Sequence, residues 1–146
     1  MADPYDLQRF VDAQQLQYAQ ALAELRSGRK RTHWMWFIFP QLQGLGRSAM
    51  AQRFAISDRA EAQAYMQHPL LGTRLLTCTE ALLEHRNDSA RQILGSPDDL
   101  KLRSCMTLFA QAATNPVPFE QALQAFFDGQ ADPATLGLLS NGDTTR

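Results

Sequence analysis

Apolar residues in this chain recur at helical spacing in one segment after another, and most segments close on a glycine, a proline or a proline-containing turn. Leu7, Phe10, Val11, Tyr18, Leu22 and Leu25 form the first stripe, and Gly28 ends it. Intervals of three, four and seven residues keep such side chains on one helical face, which must then be buried. Asp3-Pro4, Ser96-Pro97-Asp98-Asp99 and Asp132-Pro133 have the form of helix starts, a polar cap followed by proline at the first helical position. Thr32, Ser48, Ser57 and Asp88 offer further caps. The segment after Asp98 carries Leu102, Cys105, Met106, Leu108 and Phe109, apolar on more than one face, and is expected to be the central buried helix. Gly72 interrupts the helix after Pro69, where glycine costs about 1 kcal/mol against alanine.

These signals predict an all-α fold, a compact single-domain bundle of about eight helices with no significant sheet. Residues 1–139 form the expected domain, and the polar stretch 140–146 is expected to fray. A chain of 146 residues, 45% hydrophobic and 20% charged, can bury a core without staples. Its formal net charge of −1 argues against nucleic-acid binding, which calls for a basic surface. Cys78 and Cys105 sit inside helical patterns with no CxxC spacing, so both are expected to be buried hydrophobes, with no metal site. The opening MADPYDLQRF lacks the character of a signal peptide, and no apolar run is long enough to span a membrane. A cytoplasmic protein with no membrane association is therefore expected. P-loop, HExxH, GxSxG and dinucleotide fingerprints are absent, and no cofactor is expected. The sequence does not set the oligomeric state.

One stretch stands apart. Residues 29–48, RKRTHWMWFIFPQLQGLGRS, combine a basic run, a histidine, two tryptophans and a glycine-flanked turn. The seven residues HWMWFIF are too few to separate strand from buried helix by period. A short buried helix is expected, since no partner strand is in view, and Pro40 ends it. The turn Gly44–Ser48 could let backbone approach a phosphate, with Arg47 as a bidentate donor and Ser48 opening a helix; an ordinary glycine turn accounts for it as well. His33 could serve as an acid or base, and Trp34 and Trp36 could stack on a flat ring. An aromatic core cluster is the competing account. Asp99 and Arg103 lie four apart on one helical face, beside Lys101, and could offer polar groups to a ligand; carboxylates at a helix start are more usually caps.

Three segments in order, HWMWFIFPQLQGLGRS, AISDRAEAQAYMQHPLLGTRL and GSPDDLKLRSCMTLFAQ, resemble the bacterial family known as domain of unknown function 1810. The resemblance spans about residues 6–139. It implies a small, soluble, all-helical protein and carries no activity or site residues. A shorter segment, DDLKLRSCMTLFAQAATNPVPFEQAL, resembles the C-terminal helices of NADAR proteins, which are linked to NAD and ADP-ribose chemistry. That likeness implies a phosphorylated, nucleotide-like ligand and suggests hydrolysis of an N-glycosidic bond. The expected site then has His33, Asp99 and Lys101 as catalytic groups. Trp34, Trp36, Gln41, Gly44, Gly46, Arg47 and Ser48 would hold the ligand. The alternative is a non-catalytic helical module that binds other proteins.

Overall fold

The computed structural model describes residues 3–144. Among them are nine helices: α1 Gln8–Ser27, α2 Met35–Ile38, α3 Ala49–Arg53, α4 Arg59–Gln67, α5 Leu71–Leu83, α6 Ala90–Leu94, α7 Asp98–Ala112, α8 Val117–Phe127 and α9 Pro133–Thr144. No strand is formed among the described residues; a single parallel bridge joins Leu42 to Ile56. The all-helical expectation holds, with nine helices among the described residues where about eight were expected. Helix α9 runs on through 140–144, the stretch expected to fray, while 145 and 146 lie outside the described residues. No helix is long and apolar enough to cross a membrane among the described residues.

Helix α7 is the centre. Residues 104–109 are all buried, where a surface helix would bury one face only. It packs against α4, α6, α8 and α9, and α5 closes against α1, α4 and α8. The hydroxyls inside it are satisfied: Thr107 donates to the Arg103 carbonyl (2.8 Å) and accepts from the Asp132 N–H (2.8 Å). Cys78 and Cys105 are buried free thiols, as expected, and burial pushes the Cys78 thiol up to about 12.

Several helix starts differ from the sequence expectation. Helix α1 begins at Gln8, not Pro4, because Asp6 takes a left-handed conformation (φ 52°). Asp3 still caps across that turn, accepting from the Leu7 and Gln8 N–H groups at 2.9 and 3.0 Å. Asp58 caps α4 in place of Ser57, and Ser89 caps α6 with Gln92 in a capping box in place of Asp88. Ser96 does not cap α7, which starts from Pro97 with no side-chain cap. Where two adjacent residues can both cap, packing of the flanking segments decides which one reaches the free N–H groups. Glu61 shows this. Its carboxylate takes Ser57 N–H (2.9 Å) and Arg9 Nη2 (2.9 Å), which ties α4 to α1 and leaves Asp58 to cap.

The α4–α5 corner depends on two residues. His68 Nδ1 accepts from the N–H groups of Leu70 and Leu71 at 3.1 and 3.3 Å, so it caps α5 as well as ending α4. Gly72 lets the two helices close: a Cβ there would stand 2.1 Å from the Met66 carbonyl oxygen. Glycine is therefore required at a position where propensity alone favours alanine. Gly72→Ala gains about 1 kcal/mol of helix propensity but is expected to lose about 2 kcal/mol or more net through backbone displacement. Urea denaturation should show a lower midpoint with unchanged slope; a variant as stable as the parent would contradict the corner's geometry.

Candidate functional site

The site begins at a carboxylate in the last turn of α1. Glu24 is 3% exposed, at the helix end where the dipole disfavours negative charge. Five donors compensate: the N–H groups of Arg31 (2.7 Å) and Thr32 (3.0 Å), the Thr32 hydroxyl (2.7 Å), Gln20 Nε2 (2.8 Å) and Trp34 Nε1 (2.9 Å). Thr32, expected to cap the next helix, spends its hydroxyl here. Burial pushes the Glu24 carboxyl up, but the donors outweigh it and bring its pKa down to about 2. This one group fixes the chain from Arg31 to Trp34. The Lys30 N–H donates to the Ile93 carbonyl at the end of α6 (2.7 Å), securing the other side.

With its start pinned, the aromatic run enters the core. Trp34, Met35, Phe37, Ile38 and Phe39 are at most 4% exposed, with one helical turn, α2, among them. Only Trp36 faces partly outward. The following turn is anchored by two bonds, Ile56 N–H to the Gln41 carbonyl (2.8 Å) and Gln43 N–H to the Ile56 carbonyl (2.7 Å). Gly46 permits close approach of α3, since a Cβ there would meet that of Ala51 at 2.6 Å. Ser48 caps α3 by accepting from Ala51 N–H (3.1 Å), so the start of that five-residue helix is already occupied.

The first turn of α7 faces this turn. Asp98 bridges two ammonium groups, Lys30 Nζ at 3.0 Å and Lys101 Nζ at 3.3 Å. Each lysine also lies over an indole, Lys30 over Trp34 (5.2 Å) and Lys101 over Trp36 (5.4 Å). Beyond Lys101, Ser104 Oγ donates to Asp132 Oδ2 (2.9 Å), as does Thr135 Oγ1 (2.6 Å). Burial raises the Asp132 carboxyl, but the bonds from Thr135 and Ser104 and the charge of Arg103 outweigh it, so it lies below the usual range.

Two cavities open here. One, of about 390 Å³, is lined by Gln41, Gly46, Arg47, Ser48, Lys101 and Asp132 among others. The other, of about 310 Å³, is lined by Trp36, Gln41, Gln43, Gly44 and Gln52. Gln41, Gly46 and Ala51 belong to both walls. A third cavity, about 430 Å³ between α4, α5, α7 and α8, has Glu80 and no basic side chain in its wall among the described residues.

Of the residues expected at a site, Gln41, Gly46, Arg47, Ser48 and Lys101 therefore meet in one cavity, and Trp36 and Gly44 line its neighbour. Three do not join them. His33 is exposed and lies on neither wall. Trp34 has no exposed surface, and its N–H is taken by Glu24, so it is a core residue. Asp99 lies on neither wall, and its Oδ1 is buried without a hydrogen-bond partner among the described residues. Its expected face-mate Arg103 turns away to the Gln130 and Ala131 carbonyls (2.9 and 2.7 Å). The sequence offered Lys30 within a basic, anion-attracting run, Asp98 as a cap beside Asp99, and Gln43 within a turn that could rim a pocket. It gave Asp132 no role beyond a helix start and missed Glu24, whose one signal was an acid in a helix's last turn, unfavourable there unless donors follow.

The fold and cleft define a small all-helical protein with a cavity beside its central helix that carries both charged and apolar side chains. The chain belongs to the family described as "Protein of unknown function (DUF1810)", whose model matches residues 4–139. Its structure is similar to the crystal structure of the conserved hypothetical protein Rv1873 from Mycobacterium tuberculosis, 51% identical, with a TM-score of 0.93 over 94% of this chain and 99% of that one. A search of curated proteins gives no match. The likeness to NADAR proteins gains no support from these comparisons.

The two tryptophans should behave oppositely. Trp34→Phe leaves Glu24 short of a donor in a packed core and is expected to cost about 2–4 kcal/mol. Trp36→Phe should stay within about 1 kcal/mol. Chemical denaturation of both variants compares them; equal losses would contradict the assignment of Trp34 to the core and Trp36 to the cavity.

Proposed function

We propose that this protein binds a small phosphorylated molecule in the cavity between the 41–48 turn and α7. The observation that carries the reading is the convergence of Arg47 and Lys101 on one cavity with Gln41 and Ser48. The Arg47 guanidinium makes no hydrogen bond or ion pair among the described residues and offers a fork of donors. Lys101 shares Asp98 with Lys30, so Arg47 and the two ammonium groups stand against the Asp98 and Asp132 carboxylates, an excess of one positive charge that attracts an anion. Phosphate would be held by side chains, since Ser48 occupies the start of α3. A nucleotide-like ligand of the ADP-ribose or NAD type, as the sequence suggested, fits a phosphate cavity that adjoins one with an indole in its wall.

Cleavage of an N-glycosidic bond is a further step. His33 and Asp99 lie on neither wall, which leaves Lys101 of the three expected groups. Asp132 is in the wall, but its Oδ2 accepts from Ser104 and Thr135 and its carboxyl lies below the usual range, so it suits orienting a ligand rather than taking a proton. The second reading, a helical interaction module, draws on Leu100, 59% exposed at the cavity mouth.

Calorimetry with ADP-ribose, NAD and inorganic phosphate tests the proposal. Binding below millimolar is expected, with Arg47→Ala and Lys101→Met each weakening it by about tenfold and His33→Ala leaving it unchanged. No heat with any of these at millimolar concentration, from a folded sample, would overturn it.

A further inference from the structure

The second cavity differs from the first in kind. Its wall contains three carboxamides, Gln41, Gln43 and Gln52, together with Trp36, and no charged side chain among the described residues. Gln52 uses its Nε2 on the Arg47 carbonyl (3.0 Å). The side-chain amides of Gln41 and Gln43 make no hydrogen bond among the described residues. Their backbone is nonetheless held, because both flank the Leu42–Ile56 bridge through the Gln41 carbonyl and the Gln43 N–H. Two unengaged amides on a fixed segment thus face a cavity that also has an aromatic wall.

A carboxamide presents one acceptor and two donors in a plane. That matches a flat heterocycle carrying a donor beside an acceptor, as glutamine and asparagine do with the edge of adenine. The indole of Trp36 supplies the flat apolar surface. Lys101 lies over the same indole at 5.4 Å and reaches into the first cavity, so the anion-attracting group and the ring surface meet at the junction. Gln41 belongs to both walls and stands at that junction too.

We infer that the cavity lined by Trp36, Gln41 and Gln43 is a subsite for the heteroaromatic base of a nucleotide whose phosphate lies against Arg47 and Lys101. The inference rests on the phosphate reading above and adds what selects the ligand. The amides read the edge of the ring, Trp36 supports its face, and the shared wall at Gln41 and Gly46 sets the orientation. A sugar phosphate without a base fills only the first cavity.

Calorimetry with adenosine 5′-monophosphate, ribose 5-phosphate and inorganic phosphate separates the two claims. The parent protein should bind adenosine monophosphate about tenfold or more tighter than ribose 5-phosphate, the scale of one or two net hydrogen bonds. In the variant Gln43→Ala, at a residue that lines the second cavity and not the first, that preference should fall to about twofold while the affinity for ribose 5-phosphate is unchanged. The Gln43 side chain makes no hydrogen bond among the described residues, so the variant should melt with the parent, and the ribose 5-phosphate arm reports independently on an intact cavity. Equal affinity for the two ligands in the parent, or a preference that survives Gln43→Ala, would overturn the base subsite and leave the phosphate site standing. Failure of ribose 5-phosphate, phosphate and adenosine monophosphate alike would overturn both.

Discussion

Glu24 is a carboxylate placed where a helix least favours one, and the cleft depends on how that placement is resolved. The end of α1 repels negative charge, and burial removes water as a remedy. Five hydrogen bonds to a single side chain supply what water would have supplied, and four of them come from the segment that follows the helix. The carboxylate thus converts a flexible exit into a fixed one. From there Trp34 enters the core, Trp36 remains half-buried, and Lys30 is delivered to Asp98. Because the carboxyl titrates near 2 in the fold and at 4.5 ordinarily, its contribution is complete above about pH 4.5 and is lost as pH falls toward about 2.

The cleft is therefore built from segments distant in sequence that meet through charge. Lys30 comes from the loop after α1, Asp98 and Lys101 from α7, and Asp132 from the start of α9. Asp98 keeps the two ammonium groups together, and the indoles shield one side of each. Breaking a partly buried arrangement of this kind leaves a charge without a partner, which costs more than the pair contributes when intact. The turn at 41–48 is fixed by a different device, a two-bond clasp to Ile56, so its glycines and amides hold position without a helix or sheet around them.

Much of the fold was legible in the sequence, because periodicity and stop signals are local. The stripe ending at Gly28, the start at Asp132 and the doubly apolar α7 all follow from residues a few positions apart. Cap identities slipped by a residue or two, since neighbouring serines and aspartates compete and packing chooses. Gly72 was legible only as a weakness; its reason, the Met66 carbonyl, belongs to another helix. At the cleft, residue type pointed to Gln41, Gly46, Arg47, Ser48 and Lys101, which do converge. It could not separate Trp34 from Trp36, two positions apart with opposite fates, because that depends on which indole N–H meets Glu24. His33 looked like chemistry because of its neighbours, yet the turn that buries Trp34 leaves it in solvent.

The chain has two tryptophans, and their indole N–H groups give two separate proton–nitrogen resonances, which makes the whole account accessible in one experiment. In a nitrogen-15-labelled sample titrated with ADP-ribose, the Trp36 indole and the amides of residues 41–48 should shift as the ligand binds. The Trp34 indole, held by Glu24, should stay in place and exchange slowly with deuterated water. A Trp34 signal that exchanges as fast as that of Trp36, or shifts centred on the Glu80 cavity, would contradict a cleft organised from Glu24.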